Sequence, residues 1–184
     1  MRLTTRRTGG SASCQRKRVN SDFTLLSAPG AVVSVDSSGK ARNRNRSGAV
    51  ADSVGGAQLA FETAKSHLET RHQFGRALKE NQALQFRLAD MATELEAGRL
   101  MVRAAAAALD ARDPNATKLC AMAKRYATDA AFEVANQALQ LHGGYGYLKD
   151  FPLERIVRDL RVHQILEGTN EIMRVIIARE LLRQ

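Results

Sequence analysis

The sequence predicts an all-α protein, an up-down helical bundle preceded by a disordered basic tail. Three observations predict it. Apolar residues from about Val54 onward recur at steps of three and four. The breaks between those stripes hold caps, proline and glycine, and no segment alternates at period two for long enough to form a strand.

Composition sets the limits. The 184 residues are 44% hydrophobic, enough for one core-forming domain plus a tail. There is no apolar run long enough to cross a bilayer, so no membrane span is expected. Cys14 and Cys120 lie in unlike regions and give no disulfide framework, which favours a reducing compartment. The net charge of +9 is uneven: residues 1–54 hold 10 Lys and Arg against 3 Asp and Glu, leaving 18 against 16 in the rest. Basic character therefore belongs to the tail. With no aromatic interleaving and no binding motif, no nucleic-acid partner is expected; a tail that bound one would do so in a strongly salt-dependent way.

Residues 1–54 are the expected leader and linker. Met1 to Thr8 is positive and hydroxyl-rich, and no acidic residue precedes Asp22. That composition suits a mitochondrial transit peptide, and equally a non-native leader. Val32 to Val35 is an apolar patch too isolated to form a sheet, and Arg42 to Gly48 reads as solvated linker. The bundle domain is expected over 55–184.

Ala57, Phe61, Ala64 and Leu68 form the stripe of a first helix, which ends near His72. A second helix begins near Asn81. Its seam of Leu84, Leu88, Met91, Leu95, Gly98, Val102, Ala105 and Leu109 follows alternating steps of four and three, the spacing of a helix packed nearly antiparallel on its neighbours. The small residues at 98 and 105 predict a close approach. Asp113-Pro114 starts a third helix, with a stripe through Leu119, Met122, Ala123, Tyr126, Ala130, Val134, Ala138 and Leu141. Gly143-Gly144 stops it. A short helix follows from about Pro152 to Arg161, and Thr169 caps a last one from Glu171 to about Arg183.

Metal chemistry is not expected. The four histidines are scattered, there is no Cys-x-x-Cys, and His67 and His72 would stand about 140° apart on a helix. Gly143-Gly144-Tyr145-Gly146 matches neither a dinucleotide fingerprint nor a P-loop and follows no strand, so a helix stop is its plainer reading. Arg71 can offer a fork to a pyrophosphate, and the amides of Asn81 and Gln82 can bond a heterocycle; singly, each is an ordinary surface residue. Glu167 stands beside Gly168 just before a helix start, where an acid can be aimed into a cleft and the N–H groups behind it can meet polar ligand atoms. An ordinary loop glutamate is the plain alternative.

Taken together these pieces carry a resemblance. Arg71-His72-Gln73-Phe74-Gly75, Asn81-Gln82, Gln140-Leu141-His142-Gly143-Gly144-Tyr145-Gly146 and Ile165-Leu166-Glu167-Gly168-Thr169-Asn170-Glu171 occur in order, each at the edge of a bundle helix. Residues 55–184 resemble the C-terminal helical domain of the acyl-CoA dehydrogenase family. The wording of Gln85 to Thr93 and Val157 to Gly168 is similar to the branch that takes isobutyryl-CoA.

The resemblance implies an FAD-dependent enzyme that converts a saturated acyl-CoA to the 2-enoyl-CoA. It further implies electron-transferring flavoprotein as acceptor, a homo-oligomer (a tetramer in the family), and a mitochondrial matrix location in valine breakdown; without a transit peptide the location would be cytoplasmic. It makes Glu167 the catalytic base and places Gly168 and Arg179 on the substrate side. Arg71, Phe74, Asn81, Gln82, Gln140, Leu141, His142, Gly143, Gly144, Thr169, Asn170 and Glu171 become FAD contacts, several of them to a neighbouring subunit's cofactor. Branches that carry their base on an earlier helix lack a glutamate here. The domains that precede this one in the family are not in these 184 residues, so the chain alone is expected neither to retain FAD nor to turn over acyl-CoA. The alternative is a non-catalytic helical-bundle module that serves oligomerisation.

Overall fold

The computed structural model describes residues 41–183, with side chains from Val50 onward. The transit-peptide stretch, Cys14 and the Val32–Val35 patch lie outside the described residues. Five helices form the bundle: α1 (Ala41–Thr70), α2 (Gln82–Asp110), α3 (Ala116–His142), α4 (Leu153–His163) and α5 (Asn170–Leu182). The α3 helix is the central member and packs against α1, α2, α4 and α5.

The core follows the apolar stripes. Ala57, Ala64 and Leu68 of α1 are completely buried and cluster with Met91 and Leu95 of α2, Val134 and Ala138 of α3, and Leu153, Ile156 and Leu160 of α4. Each large side chain among these contributes roughly 1.5–3 kcal/mol by leaving water. Gly98 is a point of close approach: a Cβ there would sit 3.6 Å from Ala127 Cβ and 4.0 Å from Val54 Cγ2, so three helices meet at a residue without a side chain.

The ends of the helices obey local chemistry. Asn81 caps α2, its Oδ1 accepting from Ala83 N at 3.1 Å. Asp113 Oδ1 accepts from Asn115 N in the turn before α3. Gly143, at φ 58° and ψ −137°, ends α3 in a backbone conformation that only glycine takes readily.

Two expectations need correction. The stretch 42–48, read as linker, is helical, because α1 begins at Ala41. Val50 and Ser53 are buried, Ser53 Oγ lies 2.7 Å from His163 Nδ1 at the end of α4, and Gly56 lies close beside Leu160. The inner face here is made of small residues, which a search for large apolar stripes passes over. The second correction is a minimal hairpin, β1 (His72–Gln73) paired antiparallel with β2 (Arg76–Ala77). Its two-residue turn, Phe74 at φ 55° and Gly75 at φ 78°, has the paired positive φ of a type I′ connection. Two-residue strands are too short to alternate.

Candidate active site

The turn between α4 and α5 carries Glu167. After α4 the chain keeps turning: Ile165 N and Leu166 N both donate to Val162 O at 2.9 Å. Glu167 (φ 57°) and Gly168 (φ 99°) then reverse direction through two consecutive left-handed residues. Only glycine suits the second position, since a Cβ there would also stand 2.9 Å from Met173 Cε. Asn170 N donates back to Gln164 O at 3.1 Å and closes the neck of the loop. The Glu167 side chain projects from this loop on the exposed surface.

At the α5 start, Thr169 Oγ1 accepts from Ile172 N at 3.4 Å. The Glu171 carboxyl is held below the usual carboxylate range, first by its own backbone N–H, then by the Thr169 hydroxyl. Asn170 behaves differently from the contact expected of it. Its side chain turns inward onto α3, where Nδ2 donates to Asp129 Oδ1 at 2.7 Å and to Thr128 Oγ1 at 3.0 Å, and Oδ1 accepts from Lys124 Nζ at 2.7 Å.

A second group of expected contacts gathers where α1 and the hairpin meet the end of α3. The Arg71 guanidinium lies 5.2 Å over the Tyr145 ring. His142 stacks on His67 with centroids 4.2 Å apart and meets Phe151 edge-on. Burial and the neighbouring His142 and Arg71 charges lower the His67 pKa. Burial likewise lowers that of His142, against the opposing effect of its bond to the Ala138 carbonyl. Phe74, at 95% exposure, stands fully in solvent at the hairpin tip. Gly143 and Gly144 have open space where side chains would be, so their backbone is bare. Gln82 and Gln140 are exposed, whereas the Leu141 side chain is in the core.

The structure therefore sorts the expected residues into two groups. Thr128, beside the Glu167 loop, and His142 share α3 and are roughly 20 Å apart at 1.5 Å per residue. Arg179 belongs closely to neither: it lies in the last turn of α5, about 15 Å along the helix from Thr169, where a cation complements the helix dipole. An open groove of about 620 Å³ between α2 and α3 includes Arg87, Glu94, Arg125 and Asp129 but not Glu167. Among the described residues no three His, Cys, Asp or Glu side chains are placed to hold a metal ion, and no helix is long and apolar enough to cross a membrane.

Sequence reasoning missed the polar interior. Lys124, Thr128 and Asn170 are buried, and nothing in their spacing announces it. The one available signal was Lys124 itself, which falls between the stripe residues Ala123 and Tyr126.

The fold and this turn agree with what comparison with known proteins shows: the chain belongs to the acyl-CoA dehydrogenase family. The family described as acyl-CoA dehydrogenase, C-terminal domain, matches residues 37–182. Mitochondrial isobutyryl-CoA dehydrogenase of Dictyostelium discoideum is 55% identical over 141 residues, which is 77% of this chain and 34% of that one. The Bos taurus isobutyryl-CoA dehydrogenase is 52% identical over 145 residues, 79% of this chain and 35% of its own. Among solved structures, butyryl-CoA dehydrogenase from Megasphaera elsdenii superposes with a TM-score of 0.75 at 38% identity, over 78% of this chain and 37% of that one. The chain thus spans about a third of the length of the relatives it matches.

The residues present fit part of a flavin dinucleotide site. A forked cation at Arg71, exposed amides at Gln82 and Gln140, and uncovered backbone at Gly143 and Gly144 are donor types that suit phosphates and a heterocycle. Phe74 offers an uncovered aromatic face.

Proposed function

We propose that the chain is the C-terminal domain of an FAD-dependent acyl-CoA dehydrogenase acting on isobutyryl-CoA or another short branched acyl-CoA. The observation that carries this reading is the Glu167 turn: a carboxylate on two left-handed residues, its neck tied by Asn170 N to Gln164 O. The identity to isobutyryl-CoA dehydrogenases supports the substrate class.

In this reading Glu167 takes the α-proton of the acyl group, breaking the α C–H bond as its carboxylate gains the proton. An α-proton beside a thioester is weakly acidic, so the base must be desolvated when substrate covers it, and covering raises a carboxyl's pKa towards the working range. The Gly168 backbone lies beside the thioester, and Arg179 is assigned to the substrate side. Bound FAD supplies the acceptor for the hydride that leaves the β-carbon, yielding the 2-enoyl product. Thr169 and Glu171 serve the cofactor at the α5 start. Arg71, Phe74, Asn81, Gln82 and Gln140 to Gly144 serve the flavin of a neighbouring subunit, which suits their separation from Glu167 and makes the working enzyme a homo-oligomer. Electron-transferring flavoprotein is the proposed electron acceptor. The mitochondrial matrix is the proposed location, supported by the names of the two relatives and by the acid-poor start of the sequence.

The test is a completed enzyme in which the first two thirds of the Bos taurus relative precede this domain. The fusion should carry flavin and oxidise isobutyryl-CoA. Glu167→Gln should keep flavin and lose about 10²- to 10⁴-fold in rate. A flavin-loaded Glu167→Gln fusion with near-normal turnover removes Glu167 from the reaction.

A further inference from the structure

Lys124 lies in the middle of the bundle and is completely buried. An ammonium in the interior persists only where acceptors replace its water. Its Nζ donates to Asn170 Oδ1 at 2.7 Å and to Gln164 O at 3.3 Å. These two acceptors are not neighbours in sequence. They are the two ends of the loop that carries Glu167, and Gln164 O is also the carbonyl that receives Asn170 N. The same ammonium therefore grips both posts of the neck.

The surrounding bonds complete the clamp. Asp129 Oδ1 accepts from Gln164 Nε2 at 2.8 Å and from Asn170 Nδ2 at 2.7 Å, so one carboxylate oxygen on α3 also holds both ends. Thr128 Oγ1 donates to Lys124 O at 2.9 Å and accepts from Asn170 Nδ2 at 3.0 Å. Lys124, Thr128 and Asp129 stand within about one and a half turns of α3, the most thoroughly packed helix of the fold.

We infer that Lys124 is a positioning residue: together with Asp129 it fixes Gln164 and Asn170 to α3 and so sets where the Glu167 carboxylate stands. The role rests on the proposed assignment of Glu167 as the base. Between the clamped ends, the left-handed pair Glu167-Gly168 leaves the loop few other paths, so fixing the posts fixes the span. Lys124 touches neither substrate nor flavin in this account. It acts through the loop.

Two measurements separate this role from a general one in the core. The first uses the 184-residue chain and amide hydrogen exchange. Lys124→Met keeps side-chain length while removing the donor. Exchange at Ile165, Leu166 and Asn170 should rise by at least about tenfold, while amides of α2 between Met91 and Ala105 keep their protection. Unchanged loop exchange, or equal loosening of α2, overturns the proposal. If Lys124→Met does not fold, Gln164→Ala decides: it leaves the ammonium in place and removes the bond by which Asp129 holds the first post of the neck. A rise confined to the loop supports the clamp, and no rise overturns it.

The second measurement uses the completed enzyme. Lys124→Met should keep flavin and KM within about twofold, lower kcat about 10²-fold and displace the acid limb of its pH profile. If Glu167→Gln is inactive but Lys124→Met has normal kcat and pH profile, positioning by Lys124 is wrong. If Glu167→Gln is fully active, the base assignment fails instead, and the exchange experiment still judges the clamp.

Discussion

The imidazole rings of His67 and His142 stack with centroids 4.2 Å apart and planes 25° from parallel, joining the last turns of α1 and α3. Burial lowers both pKa values, and for His67 the His142 and Arg71 charges lower it further. The folded chain therefore resists protons that the unfolded chain accepts near pH 6.5. The stability this gives is present above pH 6.5 and is lost as pH falls through the depressed folded values. The thermal midpoint should fall between pH 7.5 and 5.5. His67→Phe, which keeps a ring but no charge, should flatten that dependence. An equal slope in the variant would place the effect elsewhere.

Gly98 separates two substitutions that resemble each other on paper. Its nearest neighbour for a new Cβ is at 3.6 Å, ordinary van der Waals contact, so Gly98→Ala should fit and gain up to about 1 kcal/mol from helix propensity. Gly98→Leu has no room between α1 and α3 and should cost about 1–3 kcal/mol. Denaturant midpoints of the two variants measure the difference directly.

Asn81 and Gln82 are adjacent, both expected at the cofactor, yet they differ in what they do for the fold. Asn81 caps α2, so Asn81→Ala should cost about 1 kcal/mol in the chain alone. Gln82 is exposed, and Gln82→Ala should stay within about 0.5 kcal/mol. A flavin effect of the Gln82 variant in the completed enzyme would then be a binding effect, free of any change in stability.

The length of α1 predicts where a stable domain can be cut. A chain starting at residue 55 loses the burial of Val50 and the contact of Ser53 with His163. That loss should amount to roughly 2–4 kcal/mol relative to a chain starting at 41. Chemical unfolding of the two truncations compares them, and equal stabilities would show that the first turns of α1 contribute nothing.

What the sequence made legible were features with a local mechanism. The start of α2 near Asn81, the Gly143 stop and the Thr169 cap each depend on a few adjacent residues, and all three stand where expected. The start of α1 was not legible because its packing face is built from Ser53, Gly56 and alanines, and the arginines just upstream look like a linker. Nor could the inward course of Asn170 be seen, since it depends on Lys124 and Asp129, more than forty positions away. The His67–His142 stack is of the same kind: two histidines that look scattered along the chain are brought together because α1 and α3 run in the same direction and end side by side.

Glu167 stands in a backbone conformation that side chains rarely adopt. A residue with a Cβ at φ 57° holds a conformation that costs about 1–2 kcal/mol and that glycine or asparagine would adopt more readily. On backbone grounds glycine would suit this position better than glutamate. Glu167→Gly should raise the melting temperature of the chain while removing the carboxylate, so durability and reactivity oppose each other at a single position. Any search for hardier variants scored by heat resistance alone would tend to discard the residue on which the proposed chemistry depends.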